Sequence, residues 1–210
     1  MISKCSWSPV RSLGNSVDIA TLVSAVSEIT NEQAIARVRA WIELFVVDLN
    51  LCPFARPVVS TDALRIVACE SASPKAIATL LITELDLLSR SSESDIATSV
   101  LVFTRGLENF DDYLGFLDDA QTVLKEMGLD GEIQLASFHP DYRFEGEPVD
   151  AVSHFTNRAP YPLIHLLRET MVTNALDTYP NPERIPERNI HTLERLGLAG
   201  IERLLNSLHR

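Results

Sequence analysis

Hydrophobic residues between Ile35 and Leu49 recur three and four positions apart, which is the spacing of one buried face of an α-helix. They are Ile35, Val38, Ile42, Phe45, Val46 and Leu49, with Trp41 beside them. Thr30 and Gln33 precede this pattern as a capping box, so we predict that the helix begins there. Pro53 predicts its end, because the residue before a proline avoids the α region.

Three short apolar runs farther along the chain are typical of β-strands. They span Leu64–Cys69, 99–103 and 132–138. The second run is almost entirely apolar, which indicates burial on both faces of a sheet. Helical patterns separate the three runs. One begins at Ser73 and Pro74, and the other is capped by Asn109 and ends at Gly128.

This alternation of strands and helices predicts an α/β fold, because parallel strands need a helix-length crossover between them. We expect a small three-layer domain with a short, mainly parallel sheet of about three to four strands, flanked by helices. C-terminal helices, divided near Gly197, follow the sheet. A ferredoxin-like α+β arrangement is the alternative. Residues 29–210 are predicted to form this single domain, after a loosely ordered arm at 1–28 that contains a short helical pattern at 17–26.

A further helix is predicted to begin at Pro162 and to end near residue 174, after a long polar loop at 139–160. Its apolar residues fall on one side of a helical wheel. His165 and Arg168 fall on the other side, since residues three and four apart share a face.

The chain has 210 residues, enough for one hydrophobic core, and 46% hydrophobic with 22% charged residues is typical of a soluble globular protein. A formal net charge of −11 disfavours a nucleic-acid partner, because a phosphate backbone would be repelled. Charged residues interrupt the longest apolar runs, which argues against a membrane span, and the first residues lack the apolar core of a secretory signal. The three cysteines form no CxxC pair, so we predict a reducing, cytoplasmic location.

Groups that can carry chemistry are densest after the third predicted strand, at the edge where open parallel sheets bind ligands. His139, Asp141 and Arg143 follow that strand directly. We predict that His139, oriented by Asp141, acts as an acid or base near neutral pH. The long polar loop supports a site here, because loops of about twenty residues without secondary structure are uncommon unless they serve one.

Arginines around this loop are suited to bind a carboxylate or a phosphate group. Asn157 and Arg158 stand just before the helix predicted after them, whose free N–H groups and dipole favour an anion. His165, on the polar face of that helix, is a second candidate acid or base. The first hypothesis is a cytoplasmic enzyme of open reaction class that binds a small anionic metabolite in a pocket. Its predicted substrate-binding residues are Arg143, Asn157, Arg158 and Arg168.

Cys52 is predicted to lie at the C-terminal end of the first helix, where the helix dipole raises the pKa of a thiol. The second hypothesis is a metal- or haem-binding protein that uses Cys52, His139 and His165, although no HExxH or paired CxxC pattern is present. The third is a non-catalytic interaction module. The sequence indicates no particular cofactor and leaves the oligomeric state open.

Four separated motifs stand in order within residues 32–197. They are Asn-Leu-Cys-Pro-Phe-Ala at 50–55, Ser-Phe-His-Pro-Asp-Tyr-Arg-Phe at 137–144, Asn-Arg-Ala-Pro-Tyr-Pro-Leu-Ile-His-Leu-Leu-Arg-Glu at 157–169 and Ile-Pro-Glu-Arg-Asn-Ile at 185–190. With these motifs the chain resembles a largely bacterial family catalogued as domain of unknown function 1415. The resemblance implies no activity, but it implies that the family shares these motifs. It therefore adds Arg188 as a candidate substrate-binding residue, and Asn189 joins the list of candidate site residues.

Overall fold

The computed structural model describes residues 29–208, which form a four-stranded sheet with helices on both faces. The predicted arm at 1–28 and the helix expected at 17–26 lie outside the described residues. The helices are α1 (Asn31–Trp41), α2 (Ala55–Val59), α3 (Pro74–Arg90), α4 (Phe110–Glu126), α5 (Glu169–Thr178) and α6 (Ile185–Ser207). The strands are β1 (Leu64–Cys69), β2 (Thr98–Phe103), β3 (Ile133–Phe138) and β4 (Leu163–Arg168). A π-helical segment (Ile42–Val47) continues α1, and 3-10 turns occupy Val152–Thr156 and Pro182–Arg184.

Local sequence signals set the helix ends as predicted. Thr30 and Gln33 form a reciprocal capping box at the start of α1, with hydrogen bonds of 3.0 and 3.2 Å. Asn109 caps α4 by accepting two backbone N–H groups of its first turn. Gly128 ends α4 with a φ of 72°, in the left-handed region that glycine enters without strain. Gly197 interrupts α6 with a φ of 67°, at the predicted division.

The strand order is β1-β2-β4-β3, with β1 and β2 parallel and β4 antiparallel to both of its neighbours. The three predicted strands therefore run in one direction, and β4 is inserted against them between β2 and β3. The α/β class and the flanking helices are confirmed, but the sheet is mixed, so the prediction of a mainly parallel sheet is wrong. The element order β-α-β-α-β-β also differs from the β-α-β-β-α-β order of the ferredoxin-like alternative.

The helix predicted from Pro162 is wrong, because Leu163–Arg168 form strand β4. The buried leucine and isoleucine side chains of β4 alternate between the hydrophobic clusters on the two faces of the sheet. A short apolar run that is buried on both faces satisfies helical spacing as well as strand spacing, so the pattern did not distinguish the two. His165 and Arg168 consequently point to opposite faces of the sheet instead of sharing a polar helix face.

Two hydrophobic clusters join the sheet to its helices. One lies between the sheet and α1, the π-helical segment and α6, and the other lies between the sheet and α3 and α4. Strand β2 is buried at every position, as its apolar sequence predicted. No helix within residues 29–208 has both the length and the apolar character needed to cross a membrane.

Tyr113 connects α4 by hydrogen bonds to the edge of the sheet where β3 ends and β4 begins. Its hydroxyl donates to the carbonyl oxygen of Leu163 at 2.9 Å and accepts from the backbone N–H of Phe138 at 3.1 Å. Burial raises the pKa of the Tyr113 hydroxyl well above its usual range, so it stays protonated. This contact fixes the start of α4 next to the loop that follows β3.

Candidate functional site

An open groove of about 360 Å³ lies at the edge of the sheet where β2 and β3 end and β4 begins. It is lined by Glu108, Asn109, Phe110, Asp111, Asp141, Arg143, Val149 and Arg158. One wall is the connection from β2 into α4, and the other is the loop after β3. Open α/β sheets bind ligands at this edge. Three of the residues selected from the sequence, Asp141, Arg143 and Arg158, therefore share one groove.

His139 lies behind the groove and has no exposed surface. Its ring packs against those of Phe110 and Tyr113, with 5.1 Å between the centroids in each pair. The backbone N–H of Asp141 donates to Nδ1 at 3.0 Å, and Nε2 lies 3.0 Å from the carbonyl oxygen of Leu107. A carbonyl oxygen can only accept, so Nε2 carries the hydrogen and the ring is neutral.

These bonds give His139 a structural role. Neither ring nitrogen is available to a molecule in the groove, which argues against the predicted acid/base function. Asp141 contacts the ring through its backbone N–H, whereas the sequence interpretation expected its carboxylate to orient the histidine. Asp141 itself lines the groove.

A second buried histidine, His154, holds the far part of the same loop. The backbone N–H of Phe144 donates to Nδ1 at 3.2 Å, and Nε2 lies 2.8 Å from the carbonyl oxygen of Pro148. By the same reasoning as for His139, this ring is the neutral tautomer with its hydrogen on Nε2. The two histidines thus fix the backbone on both sides of Arg143.

Arg158 is held in one orientation at the groove. Its Nε donates to the carbonyl oxygen of Tyr142 at 3.2 Å, and its guanidinium carbon lies 4.5 Å from the centroid of the Phe155 ring. Burial lowers the pKa of Arg158; the charge of Asp141 opposes this change, and the charge of Arg143 adds to it. Its terminal amino groups make no hydrogen bond with another residue of 29–208.

The groove carries charges of both signs. Arg143 and Arg158 supply two positive charges, while Glu108, Asp111 and Asp141 supply three carboxylates. Among the described residues, no carboxylate lies within ion-pair distance of either arginine. The arrangement can therefore accept an anionic group at the arginines and hydrogen-bond donors at the carboxylates.

His165 lies away from the groove, within β4, and its Nε2 is 2.6 Å from the hydroxyl oxygen of Thr98. That hydroxyl donates to the carbonyl oxygen of Leu166 at 2.6 Å, so the histidine ring must donate to it. Thr98 begins β2, at the end opposite to the groove. The structure does not bring His165 together with His139, which argues against a shared acid/base site.

We expect the free energy of unfolding to decrease as the pH falls from about 6.5 to about 4, because burial lowers the pKa of His165 to about 4. In that interval the unfolded state binds the additional proton, so protonation favours unfolding. The full loss of unfolding free energy from this residue is about 3 kcal/mol.

Urea denaturation across this pH range measures the loss. His165→Gln keeps a donor for Thr98 but does not titrate, and an equal pH dependence in this variant and the wild type would contradict the assignment.

Arg168 and Asn157 hold backbone segments and do not line the groove. Asn157 donates to the carbonyl oxygen of Ser137 at 3.1 Å and accepts from the hydroxyl of Thr156 at 3.0 Å. Arg168 lies at the end of β4 far from the groove and donates to three backbone carbonyls, those of Leu88, Ser91 and Ile96. These bonds argue against the predicted substrate-binding roles of both side chains.

Arg188 also lies apart from the groove, on α6. Its guanidinium carbon is 5.6 Å from the centroid of the Tyr179 ring, and Nη1 donates to the Tyr179 hydroxyl. Asn189 donates to the carbonyl oxygen of Leu51 at 2.6 Å, and Tyr179 packs edge-on against Phe54 at 5.4 Å. The motifs at 50–55 and 185–190 are therefore in contact with each other.

Cys52 lies between a turn at Asn50, which has a φ of 53°, and the start of α2. The π-helical segment ends earlier, at Val47, so the prediction that Cys52 ends a helix is wrong. The backbone N–H groups of Phe54 and Ala55 point to the sulfur and favour the thiolate, but burial has the larger effect and raises the pKa of the thiol. The thiol is consequently a poor nucleophile at neutral pH.

The alternative metal ligands, Cys52, His139 and His165, are not gathered at one point. Within residues 29–208, no group of three His, Cys, Asp or Glu side chains is placed to hold an ion. The haem alternative stays a prediction, and so does the interaction module. An absorption spectrum of the purified protein tests the former.

The sequence also contains a signal for the groove wall that follows β2. Glu108, Phe110 and Asp111 follow the end of β2, so the strand-end rule that selected Asp141 also points to them. The interpretation of Asn109 as a helix cap is confirmed, but capping alone does not reveal that the residue also lines the groove. Val149, on the opposite wall, carried no comparable signal.

Residues 33–203 match the model of a family described as Protein of unknown function (DUF1415). The match includes every residue that lines the groove and both buried histidines behind it. No curated protein and no solved structure matches the chain.

Proposed function

Because the chain belongs to the DUF1415 family of unknown function, we propose its function from the groove: it binds a small molecule that carries a carboxylate or phosphate group. Arg143 and Arg158 contact that group. Glu108 and Asp111, on the opposite wall, accept hydrogen bonds from hydroxyl or amino groups of the same molecule.

The fixed orientation of the Arg158 side chain is the main support for anion binding. Its Nε is occupied by the carbonyl oxygen of Tyr142, so the plane of the guanidinium is fixed and the terminal amino groups remain for a ligand. Two amino groups in one plane match the two oxygens of a carboxylate or phosphate. Since the guanidinium of Arg158 is already oriented, little side-chain entropy is lost when an anion binds to it.

The neighbouring charge of Arg143 supports an anion at the same position. Two like charges that lie close together are mutually unfavourable, which is why Arg143 contributes to the lowered pKa of Arg158. A bound anion removes this repulsion. The protein as a whole has a net charge of −11, so attraction of an anion depends on this local pair.

The dimensions of the groove suit a metabolite. Its volume of about 360 Å³ lies at the lower end of the range of about 300–1,000 Å³ for small-molecule sites. The groups in the groove that could exchange a proton with the ligand are carboxylates. If the protein transforms the molecule that it binds, Asp141 is the group that transfers a proton, because it lines the groove with the arginines. His139 does not, since both of its ring nitrogens are hydrogen-bonded to backbone groups.

A thermal-shift panel at constant ionic strength tests the proposal, with phosphate, citrate, malate and glucose 6-phosphate as anions and glucose as the neutral control. We expect at least one anion to raise the Tm of the wild type, since ligand binding stabilises the native state. Arg158→Gln should weaken binding of that anion by about 10- to 100-fold, because it removes charge-assisted hydrogen bonds.

Arg90→Gln is the matched control. Arg90 pairs with Asp86 on the surface of α3, at the sheet edge opposite to the groove, and 78% of its side chain is exposed. This variant should bind the anion as the wild type does. Equal shifts in Arg158→Gln and the wild type, or no shift with any anion, would contradict the proposed function.

A further inference from the structure

Residues 144–150 form a largely exposed loop that reaches the groove at Val149. Every residue from Glu145 to Asp150 is exposed, and Val149, which lines the groove, exposes 74% of its surface. Gly146 has a φ of 82°, so the chain turns there in a conformation that favours glycine. We call this segment the rim loop.

His154 provides the hydrogen bonds that hold the rim loop to the 3-10 turn behind it. Its Nδ1 accepts from the backbone N–H of Phe144, and its Nε2 donates to the carbonyl oxygen of Pro148, near the other end of the loop. The ring also stacks on that of Phe144, with 6.1 Å between the centroids. Two contacts of the loop do not involve this ring: the backbone N–H of Ala151 donates to the same carbonyl oxygen of Pro148 at 2.9 Å, and the Phe144 ring lies 5.1 Å from that of Tyr142. The buried imidazole is the side chain that joins Phe144 to Pro148.

Only the neutral ring can make both bonds. A proton added to Nδ1 would face the N–H of Phe144, so one hydrogen bond would be lost and two donors would oppose each other. A charged imidazolium would also have to stay buried without a counter-ion, which is unfavourable. When the rim loop moves away, water can hydrate the ring and the proton is accepted without these costs.

We propose that His154 is a pH-dependent latch on the groove: acidification protonates His154, releases the rim loop and weakens ligand binding. Protons bind preferentially to the released state, so lowering the pH must increase its population.

The surroundings of His154 offer no charge that would stabilise the protonated ring in place. Among residues 29–208, no charged side chain forms a hydrogen bond or an ion pair with the ring. The acidic side chains of the rim loop, Glu145, Glu147 and Asp150, are exposed. The groove cation Arg158 packs on Phe155, the residue after His154, and Arg143 precedes Phe144. Neither supplies a negative charge that could pair with a protonated ring. On α6, which contacts the same 3-10 turn, the buried side chains are apolar: Leu193 and Ile201.

Release of the rim loop would disturb both groove arginines. Arg143 immediately precedes Phe144, so its backbone loses its anchor on one side. The carbonyl oxygen of Tyr142, one residue earlier, holds Nε of Arg158 in position. The effect of pH on ligand affinity rests on the proposed function, whereas the release of the loop does not.

Amide hydrogen exchange of the protein without ligand, followed by NMR between about pH 8 and pH 5, tests the latch. After correction for intrinsic exchange rates, we expect the protection of the Phe144 amide to fall at least tenfold over this range. The amide of Leu101, in the fully buried strand β2, reports global unfolding and should keep its protection. His154→Asn retains an acceptor near Nδ1 but does not titrate, so its Phe144 protection should not depend on pH.

Unchanged protection of Phe144 in the wild type would overturn the latch, as would an equal loss of protection in His154→Asn. A parallel loss at Leu101 would also overturn it, because the whole domain would then be opening. These measurements need no ligand. Failure of the proposed function appears separately, as absence of anion binding at pH 8, where the rim loop is closed.

Discussion

His139→Ala is expected to destabilise the protein by about 3–5 kcal/mol. The ring is fully buried between Phe110 and Tyr113, so its removal leaves a cavity. The carbonyl oxygen of Leu107 and the backbone N–H of Asp141 also lose their partners. Urea denaturation at neutral pH measures the change as a lower midpoint with an unchanged slope.

His191→Ala is the matched control, because that side chain is 67% exposed and, within residues 29–208, pairs only with Glu194 on the surface of α6. It should change stability by less than about 0.5 kcal/mol. His139→Asn retains an acceptor for the N–H of Asp141 and should recover part of the stability. If His139→Ala unfolded at the wild-type urea concentration, the ring would not hold the groove wall, and the structural role would be contradicted.

Arg65→Met is expected to destabilise the protein by about 3 kcal/mol, because it leaves the carboxylate of Glu84 buried without a counter-ion. Arg65, on β1, makes two hydrogen bonds of 2.7 and 2.9 Å to Glu84, whose side chain is only 3% exposed. The arginine is itself 39% exposed, so water relieves part of the penalty. Chemical denaturation at neutral pH measures the loss.

Two comparisons test the cause assigned to this loss. Adding Glu84→Met to Arg65→Met should restore most of the stability, since an apolar pair of similar volume can replace a buried ion pair. Arg90→Met removes a surface pair on the same helix and should cost less than about 1 kcal/mol. A double variant as unstable as Arg65→Met alone would show that lost packing, and not the unpaired charge, causes the effect.

The strands and helices with strong local signals were predictable from the sequence. Thr30, Asn109 and Gly128 each determine a helix end through contacts within a few residues. Strand β2 is apolar throughout because both of its faces are covered, and its sequence expresses that directly. At these positions the conformation that the local sequence favours is also the one that the packed fold requires. Sequence patterns therefore predict it correctly.

Strand β4 was not predictable in the same way, because its conformation is set by partners distant in the sequence. It pairs with β2 and β3, and its apolar residues enter both hydrophobic clusters. Six residues with this composition fit either periodicity. The wrong helix also changed the predicted site, because it placed His165 and Arg168 together on one polar face. In the strand, these two side chains lie on opposite faces of the sheet.

The groove could be located from the sequence, but the roles of its residues could not. Asp141 and Arg143 lie at the end of β3, and the rule for ligands at strand ends selected them correctly as neighbours of a cavity. Burial decides whether a histidine is reactive or structural. His139 is buried because α4 covers it with Phe110 and Tyr113, and this packing is not encoded in the motif that contains His139.

Arg143 and Arg158 are proposed to bind an anionic group together. Isothermal titration calorimetry at constant ionic strength measures this binding, with the anion that gives the largest thermal shift. The wild type, Arg143→Gln, Arg158→Gln and the double variant are compared. We predict that each single substitution weakens binding at least about tenfold and that the double variant shows no measurable binding. A double variant that binds the anion with the wild-type Kd would show that these two arginines do not bind it.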